Sequence, residues 1–224
     1  MFETLRRSDL QQMRTGSLRE RSSTRPAIYV IEEKGAKAVV KDFGANSFLF
    51  RNLIGRFLVW REEKAYRRLK ALKGTPALYR VVGGLALVLE HIPGKNLEEL
   101  GYRGTAPEGF FDELKLLVEA FHRRGLCHCD LKRAANILIR PDGLPTVLDW
   151  SAAILQREFR FFPLSCVYRR FLVDDLNAVI KHRIRHCPET VSAEARERYL
   201  RRSRLETLIR ALRDRLRELL QRVA

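Results

Sequence analysis

Four charged side chains lie on or beside apolar stretches of the sequence: Lys41, Glu62, Asp130 and Asp149. A charge buried alone in apolar surroundings is costly, so each of these groups should have a charged partner or bind a cation. An ion pair between Lys41 and Glu62 is reasonable, because the lysine ends a predicted strand and the glutamate lies on the inner face of the next predicted helix. Asp149 ends a later strand, and with Asn136 of the same hairpin it offers oxygen ligands that suit Mg²⁺.

The elements that must position these side chains form two groups along the chain. In the first half, β-branched runs at 27–31 and 36–42 predict a hairpin, and the apolar periodicity from 58 to 72 predicts a helix. Two more strands are expected at 79–82 and 85–90. This half therefore predicts a small antiparallel sheet with one helix.

The second half of the chain predicts mainly helices and one short hairpin. Helices are expected at 96–100, 107–124, 168–185 and 193–223, and hairpin strands at 136–139 and 146–148. The joint between the two halves falls near 90–94. Because clefts between two lobes often bind ligands, this joint is the expected ligand site.

The candidate residues follow one another in the order of the kinase catalytic motifs. The sequence carries Glu62 on the first helix, and reads A-V-V-K at 38–41, H-C-D-L-K-R-A-A-N at 128–136, I-L-I at 137–139 and L-D-W at 148–150. This set, spanning about 21–185, resembles the protein-kinase-like superfamily. The short activation segment and reduced helical lobe are more similar to atypical RIO kinases and bacterial lipopolysaccharide core-sugar (Kdo/heptose) kinases than to eukaryotic protein kinases.

The resemblance implies an α+β, two-lobed protein-kinase-like fold, with a small antiparallel β lobe with one helix and a reduced, mainly helical lobe. Residues 1–20 are expected to be an N-terminal extension, and 21–91 the nucleotide-binding N-terminal lobe. Residues 92–190 would form the C-terminal lobe with the catalytic loop and the metal site. Residues 191–224 would form a basic amphipathic C-terminal helix.

The same resemblance implies that the site between the lobes binds ATP. Lys41 would hold the α- and β-phosphates, oriented by Glu62, with Glu63 as the alternative if the helix register differs by one residue. The backbone around Glu90 and Ile92 would bind the adenine base.

For catalysis, the resemblance assigns Asp130 to accept the proton of the acceptor hydroxyl, and Lys132 to neutralise charge on the γ-phosphate. Asn136 and Asp149 would hold Mg²⁺ across the phosphates. Asp175 is similar to the buried helix aspartate that fixes the catalytic loop in kinases.

Two departures from the kinase pattern affect this site. No G-x-G-x-x-G occurs, and its place is taken by 22–27, where Ser23 and Thr24 resemble the Ser/Thr-containing phosphate loop of RIO-like proteins. Six steps separate Asp130 from Asn136, against five in most kinases, so a bulge or an altered loop is expected there.

The charge of the chain bears on its partners. The 224 residues include 43 Lys and Arg against 27 Asp and Glu, a formal charge of +16. This excess suits nucleic acid, an anionic membrane face or phosphorylated ligands, and charge alone does not choose among them. Because no apolar run approaches the roughly 18 residues of a membrane span, a cytoplasmic location is expected. Peripheral attachment to the inner membrane face is compatible with this location.

The segment 193–224 has ten arginines against five acidic residues, with leucines at helical spacing. Three interpretations stay open. In order of preference they are a helix packed on the lobe or self-associating, a basic amphipathic helix on an anionic membrane surface, and nucleic-acid contact.

The predicted function is transfer of the γ-phosphate of ATP, with Mg²⁺, to a hydroxyl-bearing acceptor. A lipopolysaccharide core sugar at the inner membrane surface is the first choice of acceptor. The alternative is a RIO-like protein, which would either phosphorylate a protein serine or threonine or hydrolyse ATP. The rival from another class is a pseudokinase scaffold, which the six-residue spacing and the missing glycines favour.

Overall fold

The computed structural model describes residues 2–101, 104–200 and 215 of the chain, which form two lobes. The strands of the N-terminal lobe are β1 Arg14–Arg19, β2 Ala27–Glu33, β3 Ala36–Asp42, β4 Leu78–Val82 and β5 Ala86–Glu90. They form one antiparallel sheet in the order β1-β2-β3-β5-β4. The hairpin and the two later strands expected from the sequence are therefore present.

Side chains alternate along each strand, and both faces of the sheet contribute apolar residues to a core cluster. In β3, Ala38 and Val40 belong to an apolar cluster on one face, together with Tyr29 of β2. The opposite face carries Val39 and Lys41, and a helix packs against part of it, where Leu87 and Leu89 of β5 share the main core with that helix.

That helix, α3 (Arg56–Arg68), follows α2 (Phe48–Phe50) and a short π-helical stretch. Its buried positions include Val59 and Glu62. It ends earlier than the predicted position 72, since Ala71 adopts a positive φ of 65°, which a regular helix does not contain.

The first residues of the chain pack onto the sheet instead of preceding it as an extension. Helix α1 (Arg7–Gln12) leads into β1, and Phe2, Leu5 and Leu10 are buried in the same cluster as Tyr29. Arg7 Nη2 lies 2.9 Å from Asp42 Oδ1, which ties α1 to the end of β3. Apolar burial and this ion pair thus join residues 2–19 to the N-terminal lobe.

The C-terminal lobe is mainly helical. In chain order its elements are β6 Lys95–Asn96, α4 Leu97–Leu100, α5 Phe110–Arg123, β7 Leu126–Cys127, β8 Ile137–Ile139, β9 Pro145–Val147, β10 Ile154–Leu155, α6 Leu164–His186 and α7 Ala193–Leu200. Strands β6, β8 and β9 form a small sheet, and β7 pairs with β10. Helices α5 and α6 bury Leu114, Val118, Phe121, Ala178 and Val179 in the main core.

The joint between the lobes depends on a glycine and a helix cap. Gly94 has φ +151°, and a Cβ there would overlap the carbonyl oxygen of Ile139. Asn96 caps α4, since its side chain accepts hydrogen bonds from the backbone N–H of Glu98 at 3.0 Å and of Glu99 at 2.9 Å. The chain therefore passes closely over β8 as it enters the second lobe.

The two-lobed α+β architecture predicted from the sequence is confirmed. Helix α7 begins at Ala193 as expected, but most of the predicted helix beyond Leu200 lies outside the described residues. The amphipathic character of 191–224 therefore stays a prediction. Within the described part of the chain, no helix combines the length and apolarity needed to cross a membrane.

Candidate active site

The charged residues singled out in the sequence meet where the two lobes face each other. Lys41 Nζ on β3 lies 2.7 Å from Glu62 Oε2 on α3 and 2.7 Å from Asp149 Oδ1 in the C-terminal lobe. The expected ion pair between Lys41 and Glu62 is therefore present. Glu63, the alternative, pairs with Arg67 one turn later on the same helix.

Burial governs the electrostatics of this cluster. Burial alone would lower the pKa of Lys41, but Asp149 and Glu62 outweigh it and leave that pKa raised. Burial raises the pKa of Glu62 to about 7, against the opposing effect of Lys41. Burial also opposes the ionisation of Asp149, but Lys41 holds the pKa of that carboxyl well below its ordinary value. Asp149 is thus the anion that Lys41 stabilises most.

The backbone of Asp149 has a left-handed conformation, with φ 60° and ψ 78°. Such a conformation is uncommon for a residue other than glycine and persists where neighbouring contacts impose it. One such contact is made by Ser151, whose hydroxyl donates to Asp149 Oδ1 at 2.7 Å. The Asp149 side chain keeps 28% of its exposure whereas Lys41 keeps 6%, so Asp149 is the member of the pair that solvent reaches.

The catalytic loop, 128–136, is fixed by Asp175 of α6. The Asp175 carboxylate accepts hydrogen bonds from the backbone N–H of His128 at 2.8 Å and of Cys129 at 3.0 Å. Cys127 Sγ also donates to it, at 2.9 Å. Cys129 has a positive φ of 66°, and these bonds hold its backbone in that conformation. This geometry agrees with the resemblance noted for Asp175.

His128 links this loop to the segment that carries Asp149. Its Nε2 lies 2.9 Å from the carbonyl oxygen of Leu148, and its Nδ1 accepts from the backbone N–H of Asp130 at 3.2 Å. The ring also packs on Trp150 at a centroid distance of 4.7 Å. The imidazole therefore sets the spacing between the loop of Asp130 and the strand end at Asp149.

The extra residue between Asp130 and Asn136 is taken up by a 3-10 turn over Ala134–Asn136. Asn136 Nδ2 donates to the backbone oxygen of Asp130 at 3.0 Å and lies 3.4 Å from its carboxylate. With the amide nitrogen used in this way, the amide oxygen of Asn136 is the atom available to a cation. Burial raises the pKa of Asp130, opposed mainly by Arg133, whose Nη1 lies 3.8 Å from the carboxylate.

Lys132 belongs to this loop but lies outside the Lys41 cluster. Its Nζ is 3.4 Å from Asp174 Oδ1 on α6, and the backbone oxygen of Lys132 accepts from Lys181 Nζ at 2.9 Å. Lys132 thus follows the candidate base by two residues, and its contacts with Asp174 and Lys181 hold it towards helix α6.

Glu90 ends β5, and Ile92 lies in the connection that leads from β5 to β6. The Glu90 carboxylate accepts from the backbone N–H of Ala77 at 3.0 Å, which directs this side chain towards β4. Both residues line a cavity of about 570 Å³ that is bounded by α3, β4 and the connection between them. This cavity is lined by other residues than the Lys41 cluster, so it is separate from the candidate active site.

Ser23 and Thr24 lie in the loop between β1 and β2. The side chain of Asn46 donates to the backbone oxygens of Ser22 at 2.8 Å, Ser23 at 3.1 Å and Arg25 at 3.2 Å. Asn46 and Ser151 were not among the predicted site residues. Asn46 contacts a loop more than 20 residues earlier in the chain, and Ser151 contacts Asp149 within one turn. Neither residue belongs to a motif from which its contact could have been predicted.

The donors gathered here suit a hard cation. The carboxylate of Asp149 and the amide oxygen of Asn136 are oxygen ligands of the kind that Mg²⁺ prefers. Lys41 supplies a buried positive charge beside them, and Asp130 supplies a carboxylate on the adjoining loop. The arrangement can therefore bind an anionic, metal-bound ligand next to a candidate proton acceptor.

Comparison with known proteins supports this reading of the fold. No protein-family model matches the sequence. The chain is 31% identical over 78 residues to a 3-deoxy-D-manno-octulosonic acid kinase of Xylella fastidiosa (strain M12), a match covering 35% of this chain and 31% of that protein. Its structure is similar to a Rio2 kinase complex with ADP/Mg²⁺ and phosphoaspartate from Chaetomium thermophilum, with a TM-score of 0.59 and 17% identity.

The structural match covers 83% of this chain and 60% of the Rio2 kinase chain, and includes both lobes. The chain spans under two thirds of each of these relatives. The chain therefore has the protein-kinase-like fold, in a form similar to that of the Rio2 kinase.

Proposed function

We propose that this protein is a kinase that transfers the γ-phosphate of ATP, with Mg²⁺, to a hydroxyl group. The observation that carries the proposal is the convergence of Lys41 on Glu62 and Asp149, with Asp130 and Asn136 in contact on the neighbouring loop. The kinase names of both relatives favour the same reaction class.

In this reaction, Lys41 binds phosphate oxygens while Glu62 keeps its ammonium group in place. Asp130 orients the acceptor hydroxyl and takes its proton. Asn136 and Asp149 would hold Mg²⁺, which when bound would neutralise charge on the transferred phosphoryl group. The backbone bonds from Asp175 keep the loop of Asp130 in position throughout.

The nucleotide base has a suitable apolar surface beside Lys41. Ile28 and Val30 of β2 and Val39 of β3 are only half-buried, although they lie near the middle of the sheet. Ile28 and Val39 share the Lys41 face of the sheet by strand pairing and alternation. These residues, with the backbone near Glu90 and Ile92, are proposed to hold adenine.

The acceptor side supports an anionic substrate. A second cavity, of about 430 Å³, adjoins the catalytic loop and includes Lys132, Arg133 and Arg185 in its lining, with Glu98 as its acidic member. Cationic side chains next to the candidate base suit an acceptor that carries a carboxylate or a phosphate. A lipopolysaccharide core sugar has this chemistry, so it remains our first choice.

A membrane surface is supported by the outer face of 48–64, which we call the apolar-basic face. Five large apolar side chains on it are between 48% and 70% exposed: Phe48, Leu49, Leu53, Phe57 and Trp60. Lys64 Nζ lies 4.1 Å from the centre of the Trp60 ring, and the Arg51 guanidinium 5.5 Å from that of Phe48. Exposed aromatic groups beside cations favour an anionic lipid surface.

The test is to supply the full chain with γ-labelled ATP and Mg²⁺ in the presence of either a bacterial lipid extract or protein substrates. We expect label in the lipid fraction, and a loss of about 10²-fold or more of this label with Asp130→Asn. Label in protein alone would favour the RIO-like alternative. Absence of nucleotide binding and of ATP turnover would contradict the proposal and favour a scaffold.

A further inference from the structure

Arg19, at the end of β1, places a guanidinium group on the face of the sheet that carries Lys41. Arg19 is directly opposite Ile28 of β2, and Ile28 is directly opposite Lys41 of β3. Residues directly opposite each other on antiparallel strands project to the same face. Arg19 therefore lies two strand spacings from Lys41, about 10 Å across the sheet.

The Arg19 side chain is surrounded by charges. Burial lowers the pKa of Arg19, the carboxylates of Asp149 and Glu62 raise it, and the guanidinium groups of Arg25 and Arg133 lower it further. Arg19 thus interacts with the candidate metal ligand and with two other cations. Its Nε atom is buried and has no hydrogen-bond partner among the described residues.

This cluster of cations is suited to a ligand with several negative charges. Arg25 and Arg133 each repel Arg19, and Asp149, the acidic group that affects Arg19 most, is already paired with Lys41 at 2.7 Å. Guanidinium groups bind phosphate oxygens through charge-assisted hydrogen bonds. Since the sequence has no G-x-G-x-x-G, side-chain donors can take over part of the phosphate binding that glycine-rich backbone provides in other kinases.

Resting on the proposed function, we infer that Arg19 binds the outer phosphates of the nucleotide, donating hydrogen bonds to β- and γ-phosphate oxygens. The outer phosphates are assigned because the neighbours of Arg19 are those of the transfer site. Asp149 is the candidate metal ligand, and Arg133 lies 3.8 Å from the Asp130 carboxylate. In this assignment, other residues of the cleft bind the purine and the α-phosphate.

Arg14, on the same strand, offers a matched control. It is opposite Ile31, whose side chain is buried in the cluster on the other face of the sheet. Its guanidinium lies 4.9 Å from the centre of the Tyr29 ring and contacts Glu20 at 3.1 Å. Replacing Arg14 therefore removes an equal charge from β1 without changing the Lys41 face.

The experiment measures binding of MgATP and of AMP to the full chain by calorimetry. For Arg19→Ala and Arg19→Gln we expect the affinity for MgATP to fall by about tenfold or more, and the affinity for AMP to stay within about twofold. Arg14→Ala should bind both nucleotides like the wild type. Circular dichroism and thermal unfolding establish that each variant is folded, and the Gln variant retains a polar side chain should the Ala variant be unstable.

The two proposals fail in different ways. Suppose that the wild type binds MgATP. If the Arg19 variants bind MgATP equally well, or if their affinities for AMP and MgATP fall by the same factor, the role of Arg19 is wrong while the proposed function stands. If the wild type binds no nucleotide, the proposed function is wrong and the role of Arg19 falls with it.

Discussion

Lys41 Nζ and Asp149 Oδ1 lie 2.7 Å apart across the two lobes, joining residues separated by 108 positions in the chain. The proposed phosphate-binding cation and the proposed metal-binding carboxylate thus neutralise each other in the free protein. Phosphates and Mg²⁺ would replace this contact by giving each group a new partner of opposite charge. Nucleotide binding is therefore expected to exchange ion pairs in the cleft and leave no buried charge unpaired.

The first prediction concerns the stability of this buried cluster. Lys41→Met leaves Glu62 and Asp149 without their cation, so we expect the free energy of unfolding to fall by about 3 kcal/mol. The double variant Lys41→Met/Glu62→Gln should be less destabilised, because one of the two stranded carboxylates is removed. Urea unfolding of Lys41→Met, Glu62→Gln and the double variant measures these effects. If the losses of the two single variants add up to that of the double variant, Lys41 and Glu62 are not coupled.

The second prediction is a pH dependence that originates at Glu62. Its pKa is raised to about 7 from 4.5, so the folded protein binds this proton more tightly than the unfolded chain does. The resulting stability is fully present below pH 4.5 and is lost as the pH rises towards 7. Relative to Glu62→Gln, the wild type should therefore lose unfolding free energy over this interval. A difference that does not vary with pH would contradict the shift.

The third prediction tests the anchor of the catalytic loop. Asp175→Asn replaces one acceptor oxygen by a donor that faces a backbone N–H, so we expect a loss of about 2 kcal/mol of unfolding free energy. The turnover number should fall more than the affinity for MgATP. The control is Asp112→Asn, whose ion pair with Arg183 is exposed and should contribute less than about 1 kcal/mol. Equal losses in the two variants would argue against a special role for Asp175.

The fourth prediction concerns the apolar-basic face. Replacing Phe57 and Trp60 together with Ser should reduce co-sedimentation with vesicles that contain phosphatidylglycerol, because exposed aromatic area is lost. ATP turnover without lipid should not change. Leu116→Ser removes an apolar group of similar exposure from α5 and should leave vesicle binding intact. Undiminished sedimentation of the Phe57/Trp60 variant would rule out this face as the contact.

The two lobes and the Lys41 cluster could be predicted because motifs specify their neighbours. A lysine that ends a buried strand and a glutamate on the inner face of the next helix must meet, since neither charge can be buried alone. The position of Asp175 beside the catalytic loop was expected only from the resemblance to kinases, and not from the pattern of its helix.

Other features had no such signal. β1 pairs with β2 through its backbone, and most of its side chains are exposed, so its sequence shows no alternation that marks a strand. Phe2, Leu5 and Leu10 lie in a polar stretch, and only the folded sheet shows what they cover. Arg19 could not be assigned to the cleft from the sequence, because the face of the sheet that its side chain occupies depends on the register of β1 with β2.

The most direct test of the central claim is Mg²⁺-dependent release or transfer of labelled γ-phosphate from ATP by the purified full chain. We predict turnover by the wild type that is lost on chelation of Mg²⁺. Asp149→Ala should abolish it by removing the metal ligand, and Asp130→Asn should lower it by about 10²-fold or more while MgATP binding is retained. Absence of turnover by the wild type, or unchanged turnover in Asp149→Ala, would contradict the assignment as a kinase.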